Sequence, residues 1–413
     1  MIASRDGPPA HAPALTSMRG LAALMILTLH VLTWTSPAVL EGTAVLPYAT
    51  SLRFVAMPLF FVLSGWVIHY NFARYLPATL DLSFRRDAGN GLRFAARRLL
   101  RLYPLYVACL AIVCCYDLRL YRPAVEWDVL WRYLTLTHSW TFLTLHGVPV
   151  TQSTFSLSWS ISTELALYLA YPVLGFLACR LRRERSVVLA LAGTFAVAAV
   201  SAALVVTCRE PIARWMIPRP TVDQINQVAA WFLHVSPWMK IWDFTTGILL
   251  AQFVAVAGDR TVRRLSQRRW HGIAIALLAG FFLASSYDDI AWRTAITGAL
   301  YQSCAFTPWI ALLLLTAFHR PDAYRRSLLL PVGIVSYSLY LGHYVVFSFF
   351  DWMWHEPHLR TASEWLGLFI APLAVTAAFT FVTYRLIEQP FIRLGRRLVL
   401  IRPGERVMTP SSP

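Results

Sequence analysis

The first apolar segment of the chain carries two residues that could do chemistry, Arg19 and His30. His30 follows Arg19 by eleven residues. In a helix it therefore lies within about 20° of the face that carries Arg19 and about 16 Å further along the axis. A guanidinium binds phosphate through paired hydrogen bonds, and a neutral imidazole can take a proton from a hydroxyl group. One helix face therefore combines an anion-binding group with a candidate general base.

A second group of arginines, Arg97, Arg98 and Arg101, opens the third apolar segment. Arg97 and Arg101 are four residues apart and share a helix face. Arg101 lies about one turn deeper than the other two, and together with Arg19 it would form a cluster suited to bidentate phosphate binding. For Arg97 and Arg98, the tendency of arginine to collect at the cytoplasmic end of a span is an equally good interpretation.

Four ionisable residues from four apolar segments fall about six or seven residues inward from the predicted outer ends: His30, Glu164, Asp243 and His343. Such residues are costly in a membrane and usually face a protein interior or a water-filled cavity. A carboxylate can orient a histidine base, so Glu164 is the candidate partner of His30, while Asp243 and His343 are candidates for substrate binding. Taken singly, each residue could instead be an interhelical hydrogen-bonding brace.

The composition indicates that membrane helices position these residues. Of 413 residues, 57% are hydrophobic and 14% are charged, compared with about 45–50% and about 25% in soluble domains. The mean hydropathy is +0.53. These values exclude a water-soluble enzyme, a disordered scaffold and a collagen-like fibre, and they leave a multi-span membrane protein.

The sequence predicts an all-α integral membrane bundle of about ten transmembrane helices. Each apolar run is near the 20 residues that cross a bilayer core of about 30 Å, and the runs lie at 17–36, 51–70, 98–116, 157–179, 187–206, 236–257, 270–285, 297–318, 329–350 and 366–388. A semi-apolar stretch at 125–145 is predicted to be interfacial or re-entrant.

The distribution of basic residues predicts how the bundle lies in the membrane. With the N-terminus inside, about 25 of the 37 Lys and Arg residues fall in cytoplasmic segments and about 9 in outer ones, which places both termini in the cytoplasm. We expect a polar tail at 1–16, a transmembrane domain at 17–388 and a basic cytoplasmic tail at 389–413. This placement argues against nucleic acid as the partner of a chain with net charge +16.

Two further observations concern leader segments and metals. The polar, proline-rich N-terminal stretch has no apolar h-region, so the first apolar run is interpreted as a retained span. The six cysteines show no metal-ligand spacing, and no metal is expected.

Six motifs, in order along the chain, resemble those of the acyltransferase-3 family of integral membrane O-acyltransferases. One is an arginine followed after ten residues by a histidine, and another is an Arg-x-x-Arg pair. The motifs occupy residues 18–23 with His30, 60–65, 98–104, 158–164, 336–341 with His343, and 388–390.

The resemblance implies transfer of an acyl group, commonly acetyl from acetyl-CoA, to a hydroxyl group of a glycan or another cell-envelope or secreted molecule. By the same resemblance His30 is the essential histidine, and Arg19, Arg98 and Arg101 are the essential arginines. Ser64 and Tyr337 lie in matching motifs and join the substrate-binding candidates. Many members of the family carry an extra esterase-like domain. Only about 25 residues follow the last apolar run, so we expect direct transfer, or transfer to a separate partner.

These inferences combine in one expected mechanism. The CoA nucleotide docks at the arginines, its pantetheine arm runs toward His30, and His30 acts as general base with Glu164 fixing its tautomer. A covalent acyl-histidine relay stays open. The expected partners are acyl-CoA, a glycan or lipid-linked glycan and the lipid bilayer of a bacterial cytoplasmic membrane.

Other functions remain open from the sequence. The acceptor could be a small secondary metabolite such as a macrolide. A glycan or lipid transporter, or a non-enzymatic scaffold, would belong to a different class of function.

Overall fold

The computed structural model describes residues 12–35, 43, 45–73, 84–121, 127–145, 147–286, 304–353 and 362–398. Among these residues, seven helical stretches are long and apolar enough to cross a membrane: Pro13–Thr33, Val45–Phe72, Ala95–Cys115, Ser156–Cys179, Glu184–Thr207, Val222–Val256 and Ile370–Gly395. They coincide with seven of the ten predicted spans. The fold is therefore that of an all-α membrane protein.

The remaining three predicted spans are matched only in part. The run at 270–285 lies in a helix, Arg268–Ser286. The run at 297–318 is described from residue 304 onward and contains a shorter helix, Thr307–Phe318. The run at 329–350 is divided between Leu329–Ile334 and Ser336–Met353. The predicted count of ten spans is not established by these helices.

We number the described helices in chain order. They are α1 Ala12–Thr35, α2 Val45–Phe72, α3 Phe84–Tyr121, α4 Trp127–Leu134, α5 Trp159–Cys179, α6 Glu184–Thr207, α7 Arg209–Met216, α8 Val222–Ala230, α9 Pro237–Val256, α10 Asp259–Leu265, α11 Arg268–Ser286, α12 Thr307–Phe318, α13 Pro321–Arg325, α14 Leu329–Ile334, α15 Ser336–Met353, α16 Ala362–Thr383 and α17 Gln389–Leu398. Strands β1 Thr144–Leu145 and β2 Val148–Pro149 form a small antiparallel hairpin. Single π-helical turns cover Trp231–Val235 and Tyr384–Glu388.

Helices α2 and α9 form the centre of the bundle, and glycine allows their close approach. A Cβ atom on Gly65 would overlap the Phe244 carbonyl, and one on Gly247 would overlap the Val62 carbonyl. Small residues let the backbones of membrane helices approach closely in this way. Because Gly65 is fixed against α9, the neighbouring Ser64 is held at a defined depth.

The outer surface of the bundle is apolar. Leu189 of α6 is 72% exposed although the helix has a mean hydropathy of 2.3, as expected of a side chain that faces lipid. Exposed tryptophans lie on short helices at the rim, as Trp127 does on α4 and Trp215 on α7. Tryptophan is enriched at membrane interfaces.

The stretch between α3 and α5 enters the bundle. The Tyr106 hydroxyl of α3 donates to the Tyr133 carbonyl at 2.8 Å, and the Ser156 N–H donates to the Tyr344 hydroxyl of α15 at 3.3 Å. Phe155 is fully buried between the same two helices, 5.9 Å from Tyr106 and 5.1 Å from Tyr344 between ring centroids. Helix α5 therefore begins inside the protein and not at its outer surface.

The predicted tails lie largely outside the described residues, at 1–11 and 399–413. Helix α1 begins at Ala12, five residues before the predicted domain boundary. At the other end, α17 extends over part of the segment predicted as a tail.

Candidate active site

A cleft lies among α1, α2, α3, α5 and α15. Each of the five helices contributes side chains, and the lining residues are Arg19, Met57, Phe60, Phe61, Ser64, Arg98, Arg101, Leu102, Ser160, Ile161, Glu164, Tyr168, Ser336, Tyr337 and Tyr340. Six of the ten residues predicted from the sequence are in this list. The lining combines charged side chains with aromatic and aliphatic ones.

Three arginines, Arg19, Arg98 and Arg101, line the cleft together, as the sequence predicted. With Glu164 as the one carboxylate among the lining residues, the formal charge of the cleft is +2. The Arg98 guanidinium lies over the Tyr168 ring at 5.6 Å, a cation–π contact that fixes its orientation. Guanidinium groups from two helices can bind a ligand that carries several phosphate charges.

Glu164 connects α5 with α2. Its carboxylate accepts a hydrogen bond from the Ser64 hydroxyl at 2.8 Å and another from the Tyr168 hydroxyl, one turn further along the same helix. A carboxylate with two hydroxyl donors is well satisfied for a site within the membrane region. It also offsets part of the positive charge of the arginines.

The catalytic candidate His30 lies next to His343. Their Nδ1 and Nε2 atoms are 2.9 Å apart, and the rings stack with centroids separated by 5.1 Å. His343 Nδ1 is 2.9 Å from the Leu339 carbonyl oxygen, and because a carbonyl only accepts, this nitrogen carries the proton. A neutral His343 then accepts at Nε2, so His30 donates from Nδ1 and its lone pair is on Nε2. This is the tautomer that a base or a nucleophile needs at Nε2.

Tyr340 lies between the cleft and the histidine pair. Its ring lines the cleft and contacts the His343 ring edge-on, with centroids 6.0 Å apart. Phe60 of α2 packs edge-on against the same tyrosine at 5.8 Å. The Tyr340 hydroxyl is 2.8 Å from the Ser160 hydroxyl of α5. His30 and His343 are not among the residues that line the cleft, and Tyr340 contacts both the cleft and the histidine pair.

The prediction that four ionisable residues share one layer is wrong. Ser160 is level with Tyr340, one helical turn inward from His343, so Glu164 lies a further turn inward, beside the arginines. The depth count assumed that α5 begins at the outer surface, whereas the preceding segment enters the bundle. His30 donates its orienting hydrogen bond to His343, whereas Glu164 accepts hydrogen bonds from Ser64 and Tyr168.

Asp243 and Arg97, two further candidates for substrate binding, are not among the residues that line the cleft. Asp243 is 2% exposed, accepts a hydrogen bond from the Thr307 hydroxyl at 2.7 Å and faces the Lys240 ammonium at 3.8 Å. The Arg97 carbonyl lies close to Gly395 of α17.

Sequence reasoning missed several residues of the site. Tyr168 lies four residues after Glu164, a spacing that puts both on one helix face. Tyr340 and Ser336 lie within the motif at 336–341, and Phe60 opens the motif at 60–65. The motifs therefore marked these positions, but no charge distinguished them.

Comparison with known proteins gives the family of the chain. The family model of the acyltransferase-3 acyltransferase domain matches residues 13–385. The acyltransferase MdmB of Streptomyces mycarofaciens is 26% identical in an alignment 412 residues long. The alignment covers 93% of this chain and 93% of MdmB. No solved structure matches the chain. The protein therefore belongs to the acyltransferase-3 family and is a membrane acyltransferase.

Proposed function

We propose that this acyltransferase moves a short acyl group, acetyl above all, from acyl-CoA to a hydroxyl group of an exported or cell-surface glycan. The observation that carries the proposal is that Tyr340 lines a cleft with three arginines and also contacts a hydrogen-bonded histidine pair. CoA carries several phosphates at one end of an extended arm and the reactive thioester at the other. Arg19 and His30, about 16 Å apart on one helix, suit those two ends.

The cleft supports binding of the nucleotide end of CoA. Arg19, Arg98 and Arg101 offer paired N–H donors to phosphate oxygens, which guanidinium binds better than ammonium does. The cationic cleft lies near the predicted cytoplasmic end of α1, in what we take to be the cytoplasmic membrane of a bacterium. In this proposal the pantetheine arm packs against the aliphatic and aromatic lining residues and extends toward Tyr340.

The histidine pair supports the transfer step. His30 Nε2 takes the proton of the acceptor hydroxyl while the hydroxyl oxygen attacks the thioester carbon. The carbon–sulfur bond breaks, the CoA thiolate takes the proton from His30, and the products are an ester and CoA with a free thiol. His343 is the positioning residue for His30, because it accepts the Nδ1–H and shares the positive charge that forms.

Glu164 has a different proposed part from the one expected. Beside three guanidinium groups, its carboxylate keeps the empty cleft from accumulating uncompensated positive charge. Its bond from Ser64 also ties α5 to the tightly packed α2. We therefore assign Glu164 to the binding region for the donor.

Replacement of His30 tests the proposal. Membranes with the wild-type protein or His30→Ala are incubated with radiolabelled acetyl-CoA, and the glycan and solvent-soluble fractions are counted separately. We expect label in the glycan fraction with the wild type and at least about a hundredfold less with His30→Ala. His271→Gln, at a histidine bonded to Thr316 and Tyr324 away from the cleft, is the control and should retain activity.

Three results would contradict the proposal. Equal labelling by His30→Ala would remove that residue from catalysis. Label confined to the solvent-soluble fraction would replace the glycan by a small metabolite as acceptor. Intact acetyl-CoA with the wild type, together with movement of a glycan across the membrane, would favour transport over acylation.

A further inference from the structure

A buried carboxylate, Glu388, lies directly behind the arginine cleft. Its side chain is 1% exposed, whereas that of Arg101, which faces it, is 25% exposed and reaches the cleft. We propose that Glu388 is a positioning residue for Arg101, and that it sets the affinity of the cleft for the phosphate groups of the acyl donor. This inference rests on the proposed function and adds to it a residue that does not itself touch the donor.

The contacts of Glu388 join three helical segments. One carboxylate oxygen accepts a hydrogen bond from the Ser338 hydroxyl of α15 at 2.7 Å. The other oxygen faces Arg101 Nη2 of α3 at 3.9 Å. Next to these residues the Tyr337 hydroxyl donates to the Leu102 carbonyl at 2.6 Å. The turn of α3 that carries Arg101 is thus itself hydrogen-bonded to α15.

The local backbone explains why a glutamate at this position points inward. Glu388 ends the π-helical turn Tyr384–Glu388, and Pro390 follows in α17. Proline has no N–H to bond the carbonyl of Leu386, which interrupts the regular helical ladder. Single π-helical turns often occur at functional sites. The motif at 388–390 therefore has a structural result, the inward placement of one carboxylate.

The geometry orients Arg101 without using up its donors. At 3.9 Å the pair is longer than a hydrogen bond, and within the described part of the chain neither Arg101 Nε nor Glu388 Oε1 has a hydrogen-bond partner. A close bidentate pair would compete with phosphate for the same N–H groups. A carboxylate held back by Ser338 attracts the guanidinium into place and leaves its donors for a ligand.

The experiment compares Glu388→Gln, Arg101→Gln and the double variant. Steady-state kinetics are measured in membranes with acetyl-CoA and with acetyl-pantetheine, which lacks the nucleotide phosphates. We expect Glu388→Gln to raise the KM for acetyl-CoA about tenfold with little change in kcat, an effect like that of losing an outer-shell partner at a metal site. Glu388→Gln should use acetyl-pantetheine as well as the wild type does. In the double variant, Glu388→Gln should cause no further rise in the KM for acetyl-CoA beyond that caused by Arg101→Gln.

Matched variants keep the test decisive. Glu184→Gln removes a carboxylate that bonds Gly258 and Thr261 far from the cleft and should leave both donors unaffected. If Glu388→Gln does not fold, Ser338→Ala takes its place and should raise the KM for acetyl-CoA in the same direction by a smaller factor.

Several outcomes would overturn the proposal. An unchanged KM for acetyl-CoA would do so, and so would an equal loss with acetyl-pantetheine or a full additional loss in the Arg101→Gln background, since each indicates a general structural role. If the wild type does not use acetyl-CoA at all, the proposed function fails, and that result is distinct from any pattern among the variants.

Discussion

The chemistry of this site depends on which ring nitrogen of His30 carries the proton. A backbone carbonyl of Leu339 fixes the tautomer of His343, and His343 in turn fixes that of His30. In serine hydrolases a carboxylate has the equivalent role. Here a neutral ring does so, which avoids placing another buried charge in a membrane bundle.

Substitution of His343 tests this orientation. We expect His343→Leu to lower kcat about a hundredfold, because Nδ1 of His30 loses its acceptor and the wrong tautomer becomes available. The KM for acetyl-CoA should stay the same, since the arginines are unchanged. His343→Gln retains an oxygen that can accept the Nδ1–H and should keep more activity than His343→Leu.

The comparison with Glu164 makes the test specific. Steady-state kinetics of Glu164→Gln should show a changed KM for the donor and a smaller change in kcat than His343→Leu does. A His343→Leu enzyme with wild-type turnover, or a Glu164→Gln enzyme with the larger loss of kcat, would indicate that Glu164 and not His343 orients His30.

At the scale of helices, the sequence was informative where periodicity alone sets position. Arg19 and His30 lie on one continuous helix, so their spacing predicted their relation correctly. Glu164 could not be placed, because its depth depends on the course of residues 127–158, and no periodic pattern shows that this segment enters the bundle. The pairing of His30 with His343 joins residues 313 positions apart and depends on how α1 packs on α15.

The role of Asp243 also could not be predicted from the sequence. A buried carboxylate in a span is a functional candidate by default, but the structure pairs it with Lys240 and Thr307 between α9 and α12. Lys240 is the one lysine of the chain and is fully buried. The pair is therefore best explained as a brace.

A double-mutant cycle tests that brace. Asp243→Leu alone should lower the free energy of unfolding by about 3–5 kcal/mol, because it leaves a buried ammonium without its counter-ion. Lys240→Met combined with Asp243→Leu removes both charges and should recover most of the loss. Denaturation in detergent gives the stabilities, and the double variant should keep its acyltransferase activity. A stable double variant without activity would return Asp243 to the substrate site.

At the scale of the whole molecule, the charges divide the protein into two faces. The predicted cytoplasmic segments hold most of the arginines, and the cleft arginines lie toward that face on α1 and α3. His30 lies about 16 Å further toward the opposite face. In the proposed reaction, acyl-CoA and the acceptor therefore enter from opposite sides of one membrane and meet at the histidine pair.

Sealed membrane vesicles test this arrangement. Acetyl-CoA does not cross a bilayer, so inverted vesicles, which expose the cytoplasmic face, should use labelled acetyl-CoA added from outside. Right-side-out vesicles should use it only after permeabilisation. Orientation is checked with an impermeant maleimide in a Cys115→Ser background, because Cys115 is also exposed. Exposed Cys208, which follows α6, should react in right-side-out vesicles, and the further change Cys208→Ser should lose that signal. Arg182→Cys, in the exposed turn before α6, should react in inverted vesicles. Acetyl-CoA consumption by intact right-side-out vesicles would place the arginine cleft on the outer face and reverse the direction of transfer.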